Sequence, residues 1–578
     1  MMETKAFRHN EETGPGAIFF RTWALIVFFG IIQTIVAAWP LLRDGWFVTY
    51  DAFLHIQRVE AVAYAVRHGD LYPRWITAAA AGKGSEFLNF YPPAFYLAAG
   101  YLHALGVPLL PAVKTVCMLG LFLGWLGMFF WARRHFDIFG AMIASTIFLF
   151  VPYHFDNLYI RGALPELTAI NLLPWLFLGI DTIYSQNHYL RGLALTASAT
   201  AAITLTHNLV GFMVAPFAAI YILWRTFTSG DRLRMFLKAA AGPAAGIGLS
   251  AFYWLPVLAE AGYLYDFRGV LLSRDRYYEH FASPIEWLAR YKPGYVLQYG
   301  SVWARQNFQI GYVLLGFAAL SLMVIIGAKG KRGFGITALV LGLLGLFMTI
   351  TPSTVIYKNI ELMQFVLFPF SYLGTATLFL AALTGYSTSF KPVTRMPAGP
   401  ALLLLIAFAL CVFASGNQRA VSSRRAIKED IPTLMGISVI DEFRPRWETM
   451  PVTPKIYHLL YADPGIQAEQ LQTGGSGIRL QTKAVKPGNM TITQFYFPGW
   501  KLSIDGRDSP IYTTPEGFIK FRVPAGLHSI KLWFGTTWPR VTGWAVSVLA
   551  AITILFFLIR GAIKKDPRPS HLSGVRQA

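Results

Sequence analysis

Three short stretches of this 578-residue chain carry ionisable side chains at spacings that could do acid–base or anion-binding chemistry. The first is Tyr50-Asp51-Ala52-Phe53-Leu54-His55-Ile56-Gln57-Arg58. A helix there would put Asp51, His55 and Arg58 on one face, each about one turn from the next. A carboxylate beside an imidazole can take a proton or hold a divalent metal; the plainer reading is a solvated helix start with Asp51 as N-cap. The second stretch, Tyr159-Ile160-Arg161-Gly162-Ala163-Leu164-Pro165-Glu166, lies in a short connection between apolar runs. Arg161 and Glu166 must therefore sit at a membrane boundary, where ionisable groups are costly and usually functional. Interface anchoring with a local ion pair is the plain alternative. The third, Thr206-His207-Asn208, reads by itself as a turn that satisfies its own backbone.

The elements that must position these groups are membrane helices. Hydrophobic residues make up 54% of the chain and charged ones only 14%, against roughly 25% charged in soluble domains. Apolar runs of bilayer-crossing length recur along almost the whole sequence, and backbone in hydrocarbon must satisfy itself as helix. The formal charge of +20 collects between these runs as the positive-inside rule requires, and no aromatic-interleaved basic groove is present, so nucleic acid is excluded as a partner. Cys117 and Cys411 both lie inside apolar runs, which excludes a disulfide framework and a thiolate metal site. The expected fold is a polytopic α-helical membrane protein of about 12 transmembrane helices. It is expected in the cell inner (cytoplasmic) membrane with both termini cytoplasmic, because each proposed inner connection is basic. In this threading the three polar stretches fall on one side at similar depth.

The transmembrane region is expected over 1–414, with outer loops at 43–111 and 259–309. Tyr91 to Leu105 is short and begins Tyr91-Pro92-Pro93, so it is read as a helix lying in the interface. Hydropathy collapses over 415–540, an expected extracytoplasmic domain, β-rich from about 476. There Ile519, Phe521 and Val523 alternate with Lys520 and Arg522, as Ile530, Leu532 and Phe534 do with their neighbours, and Asp505-Gly506 is a hairpin signal. A small β-sandwich follows; since it can bury its own apolar face, it is expected to fold apart from the spans. A last helix at 541–559 leads to a basic cytoplasmic tail, 560–578.

No P-loop, HExxH or dinucleotide fingerprint is present. Instead Asp51, Gly69-Asp70-Leu71-Tyr72-Pro73-Arg74-Trp75, Phe90-Tyr91-Pro92-Pro93, the Arg161–Glu166 stretch and Thr206-His207-Asn208 resemble the bacterial membrane proteins labelled 6-pyruvoyl-tetrahydropterin synthase-related. More broadly they resemble membrane glycosyltransferases of the GT-C fold. Phe497-Pro498-Gly499-Trp500-Lys501 and Pro524-Ala525-Gly526 look like the outer β domain of YfhO-like proteins. In Phe368-Pro369-Phe370-Ser371-Tyr372 such relatives usually carry an arginine where this chain has Ser371.

The resemblance implies an inverting transferase that moves a sugar from a polyprenyl-phosphate carrier to an extracytoplasmic acceptor such as an envelope glycan, lipid or protein. It implies Asp51 as base, Glu166 as second carboxylate orienting the acceptor or sharing a divalent metal (Mg or Mn), and Arg161 on the phosphate. His55, Arg58, Arg74, Tyr91, His207 and Asn208 are further substrate contacts. The rival class is non-catalytic, either a membrane scaffold or a transporter or translocation factor for envelope polysaccharide.

Overall fold

The computed structural model describes residues 15–47, 49–77, 79–185, 188–265, 277–288, 309–327, 332–423, 426–427, 443, 445–448, 459–474 and 477–563. The first 14 residues, much of the expected loop 259–309 and the tail beyond 563 lie outside the described residues. The helices used below are α1 (Pro15–Ala37), α2 (Ala52–Arg67), α3 (Ala94–Ala104), α4 (Leu109–Ala132), α5 (Ile138–Leu149), α6 (Leu164–Ile183), α7 (Tyr189–Thr206), α8 (Asn208–Phe227), α9 (Arg232–Leu249) and α10 (Ala251–Glu260). They continue with α11 (Tyr312–Gly327), α12 (Gly333–Met348), α13 (Leu373–Leu383), α14 (Gly399–Ser423) and α15 (Trp538–Ile563).

By length and apolarity, α4, α6, α8, α14 and α15 can each cross a bilayer alone. Three bent pairs are long and apolar enough only when taken together: α5 with Pro152–Arg161 at 40°, α9 with Ala251–Tyr263 at 68°, and α12 with Thr351–Asn359 at 87°. Arg21–Ala37 and α11 are shorter apolar helices. The apolar run Ala239–Leu258 is thus broken within, whereas Phe334–Ile350 is α12 almost end to end and its break comes just after it. At the first break the Ser250 hydroxyl bonds back to the carbonyls of Gly246 and Ile247, and at the second Pro352 follows the last helical turn. The expected span Phe365–Leu383 shrinks to α13, 11 residues buried throughout, which need not reach across lipid because other helices surround it.

The β domain starts earlier than expected, at Leu460. A two-stranded pair, β1 (Trp46–Phe47) with β2 (Ala426–Ile427), first ties the end of α14 to the segment before α2. The remaining strands are β3 (Leu460–Ala462), β4 (Ile466–Gly474), β5 (Gly477–Ala484), β6 (Gly488–Phe495), β7 (Trp500–Ile504), β8 (Arg507–Ser509), β9 (Tyr512–Thr513), β10 (Phe518–Val523) and β11 (Gly526–Phe534). They form sheets ordered β3-β6-β10-β9 and β4-β5-β11-β7-β8. The alternating residues Ile519, Phe521, Val523, Ile530 and Leu532 are buried between the two sheets. Asp505 and Gly506 take φ of 52° and 79°, the pair of left-handed residues that a two-residue β7–β8 hairpin needs.

The sandwich sits on one end of the helical bundle. Trp75, fully buried, packs edge-on against Trp500 and beside Phe534. Arg540 at the start of α15 pairs with Glu260 at the end of α10 at 2.9 Å, both about 1% exposed. This is the end at which the polar stretches gather.

Candidate active site

The first polar stretch begins with Thr49, whose Oγ1 accepts from the Ala52 N–H at 3.2 Å. Asp51 occupies the N-cap position of α2 yet its side chain makes no capping bond. One turn on, His55 is buried, and its Nδ1 lies 2.7 Å from the Tyr96 hydroxyl on α3. Arg58 is buried too, and its Nη1 donates to the same hydroxyl at 3.2 Å. Burial, then the nearby Arg58, His207 and Arg161 charges, hold the imidazole pKa well below its ordinary value. His55 is therefore held as the neutral imidazole.

The Arg58 guanidinium lies 4.7 Å from the Phe87 ring centre, 4.8 Å from Tyr91 and 5.9 Å from Tyr96. Among the described residues no carboxylate comes within 4.0 Å of it. Cation–π contact offsets part of the cost of burying that charge. Tyr91 also lies within the fields of Asp51 and Glu166, which puts it between the first two stretches.

The second stretch folds as a short helical turn, Pro152–Phe155, followed by a π-helical turn, Asp156–Arg161. Such turns are short-lived in sequence and frequent at functional sites. Arg161 ends the turn, Gly162 reverses the chain at φ 73°, and Glu166 falls in the first turn of α6, where the helix dipole favours a negative charge. Arg161 Nη1 donates to Glu166 Oε2 at 3.0 Å and to Asn157 Oδ1 at 2.5 Å. Tyr153 donates to Glu166 Oε1 at 2.7 Å. Phe370 and Phe368 rings lie 5.0 and 5.8 Å from the Arg161 guanidinium.

The two stretches are locked together. Tyr50 and Asp51 N–H groups donate to the carbonyls of Ile160 and Arg161 at 3.3 and 2.8 Å. A Cβ on Gly162 would collide with Thr49 Oγ1 and lie 2.5 Å from the Ala52 nitrogen, so only glycine permits this approach.

His207 caps α8, its Nδ1 accepting from Val210 N–H at 3.3 Å, and it lies within the fields of Glu166 and Arg161. Asn208 beside it is exposed. Arg74 is elsewhere: it donates to Asn89 Oδ1 and to the Phe252 carbonyl, both at 2.7 Å, and Asn89 in turn donates to Glu260 at 2.6 Å. That network belongs to the junction with the sandwich. Ser371 is buried beside Tyr153, so this position faces the site.

Sequence reasoning missed Tyr153, Asn157, Tyr96 and Phe87. Aromatic residues within apolar runs read as core, and nothing in their spacing marks a polar partner. The residues present do not fit a divalent cation at Glu166: Arg161 already neutralises it, and among the described residues no group of three His, Cys, Asp or Glu could hold a metal.

The description "6-pyruvoyl-tetrahydropterin synthase related domain; membrane protein" matches residues 88–421. The chain belongs to this family. The matched region of this 6-pyruvoyl-tetrahydropterin synthase-related protein contains Tyr91, Arg161, Glu166, His207 and Ser371, whereas Asp51, His55 and Arg58 precede it. No curated protein matches the sequence. Among solved structures the chain is similar to the mycobacterial arabinofuranosyltransferase AftD, at 15% identity and TM-score 0.43, covering 71% of this chain and 27% of that one. It is similar also to ArnT from Cupriavidus metallidurans bound to undecaprenyl phosphate, at 14% identity and TM-score 0.42, covering 68% and 63%. A third is the Archaeoglobus fulgidus oligosaccharyltransferase, at 13% identity and TM-score 0.36, covering 70% and 54%. The chain thus spans about a quarter of AftD and less than two thirds of the other two.

Proposed function

We propose that this membrane protein is a glycosyltransferase that takes a sugar from a polyprenyl-phosphate carrier and passes it to a hydroxyl acceptor. The observation that carries the reading is the lock between the Asp51 turn and the Arg161–Glu166 turn, which gathers a carboxylate, a neutral imidazole and two arginines at one end of the bundle. A lipid-linked anion meeting a water-borne acceptor needs a site at such a boundary.

In the proposed reaction Asp51 takes the acceptor proton as the acceptor oxygen attacks the anomeric carbon. The bond from that carbon to the phosphate oxygen breaks, with inversion, and the phosphate leaves on its lipid as an anion. Glu166 already carries the Arg161 charge. The phosphate is therefore assigned to Arg58, a buried cation with no carboxylate beside it among the described residues, together with the His55 imidazole. Arg161 instead sets the carboxylate of Glu166 and, through its carbonyl, the backbone of Asp51.

Binding of undecaprenyl phosphate to the full-length protein in lipid nanodiscs, followed by native mass spectrometry, tests the assignment. Arg58→Gln is expected to weaken binding at least tenfold, the order of a lost charge-assisted bond. Binding unchanged in Arg58→Gln and lost in Arg161→Gln would return the phosphate to Arg161.

A further inference from the structure

The β domain grips a closed loop that precedes the site. Ile76 and Ser85 exchange backbone hydrogen bonds at 2.8 and 3.1 Å, closing the loop at its base. Its far side is held by Gln494 on β6, whose side chain is fully buried. The Gln494 Nε2 donates to the Gly82 carbonyl at 2.5 Å and the Thr77 carbonyl at 3.3 Å, and Oε1 accepts from Trp75 Nε1–H at 3.0 Å. The Phe495 N–H donates to the Lys83 carbonyl at 2.7 Å. Gly84, at φ 82°, lets the chain pass so close that an added Cβ would lie 2.5 Å from Gln494 Oε1.

The base of this loop leads straight into the wall around Arg58. The Ser85 Oγ accepts from Phe87 N–H at 3.2 Å, and the Phe87 carbonyl accepts from Tyr91 N–H at 2.7 Å. The Phe87 and Tyr91 rings are those against which the Arg58 guanidinium rests. An amide that makes three hydrogen bonds from a fully buried position is costly to disturb, because removing it takes a donor from the Gly82 and Thr77 carbonyls and an acceptor from the Trp75 indole N–H.

We infer that Gln494 is a positioning residue: from the β domain it fixes loop 76–85 and, through it, the Phe87–Tyr91 wall that holds Arg58 for the anion. The sandwich is then part of the site's framework and not an appendage separable from it. The inference deepens the reading above and rests on it only for the choice of ligand probe.

The test compares wild type, Gln494→Leu and Trp75→Phe as full-length proteins in nanodiscs. Ile530→Ala, which hollows the sandwich core at a residue that pairs with Leu480 and Ile504 and makes none of the loop's hydrogen bonds, serves as a control. Undecaprenyl phosphate binding is expected to weaken by about tenfold to a hundredfold in Gln494→Leu, the scale of small misplacements in a site, and less in Trp75→Phe, which loses a single bond. Ile530→Ala should lower thermal stability yet leave binding unchanged. Adding Phe87→Ala to Gln494→Leu should cause no further loss, because both act through the same wall. Hydrogen exchange should rise in residues 85–91 of Gln494→Leu. Unchanged exchange there, or losses from Gln494→Leu and Phe87→Ala that simply add, would overturn the inference. Should the wild type fail to bind the lipid, the transferase reading fails, and exchange in residues 85–91 decides the inference alone.

Discussion

The backbone N–H of Asp51 donates to the carbonyl of Arg161 at 2.8 Å, joining two stretches far apart in the chain. Through this bond the N-terminus of α2 is registered against the π-helical turn that ends at Arg161. The acid of one stretch and the ion pair of the other are thereby held in one frame, and most expectations for variants follow from it.

Gly162→Ala should break that frame. A methyl group there meets Thr49 Oγ1 and the backbone nitrogen of Ala52, and φ of 73° adds roughly 1–2 kcal/mol of its own for a residue with a side chain. Thermal unfolding in detergent should show a loss of at least about 2 kcal/mol. A loss within about 0.5 kcal/mol would mean that the two stretches are not pressed together.

Removing one member of the buried Arg161–Glu166 pair should be costly. Glu166→Gln leaves the Arg161 charge with Asn157 and two aromatic rings for company, and about 3–5 kcal/mol is the usual loss when such a pair is broken. The double change Arg161→Gln with Glu166→Gln should cost much less than the sum of the single ones. A double-mutant cycle giving simple additivity would count against the pair.

At the junction with the sandwich, Glu86 makes the fold pH-sensitive. It is fully buried, and neither carboxyl oxygen has a hydrogen-bond partner among the described residues. Burial pushes its pKa up to about 8, with Arg540 opposing and Glu260 adding to the rise. The folded protein therefore holds a proton that the unfolded chain releases above roughly pH 4.5, so stability should fall as pH rises from about 5 to about 8. Glu86→Gln should flatten that slope and melt higher than wild type at pH 8. A slope of equal size in the variant would place the titrating group elsewhere.

Much of this arrangement was legible in the sequence, for reasons that differ by element. Apolar runs and basic connections located the five helices that can cross a bilayer alone, α4, α6, α8, α14 and α15, because lipid leaves the backbone no alternative to helix. They did not reveal the 68° and 87° bends, which depend on Ser250 inside one run and Pro352 just after another. Alternation located β10 and β11, and Asp505-Gly506 the hairpin, but β3 and β4 are edge strands without a clean period: Tyr461 and the run Gln467, Ala468 and Glu469 are exposed. Within the site, Asp51, His55, Arg161, Glu166 and His207 stood out as ionisable residues at the ends of apolar runs. Tyr153, Tyr96 and Phe87 did not, since an aromatic residue announces burial and says nothing of the hydroxyl or cation it will meet. Arg74 stood out only through the motif Gly69–Trp75 that carries the resemblance, and only the fold shows that it serves the α10–α15 junction.

The account stands most directly on sugar transfer by purified protein in proteoliposomes, measured with labelled polyprenyl-phosphate sugars in wild type and Asp51→Asn. Asparagine keeps the shape and removes the base, and no capping bond is lost because Asp51 makes none. The account predicts transfer by the wild type from one such donor. It also predicts a fall of about 100-fold to 10,000-fold in the variant, the range of general acid–base catalysis, at a melting temperature close to that of the wild type. Full turnover by Asp51→Asn, or no transfer by the wild type from any of the donors, would contradict it.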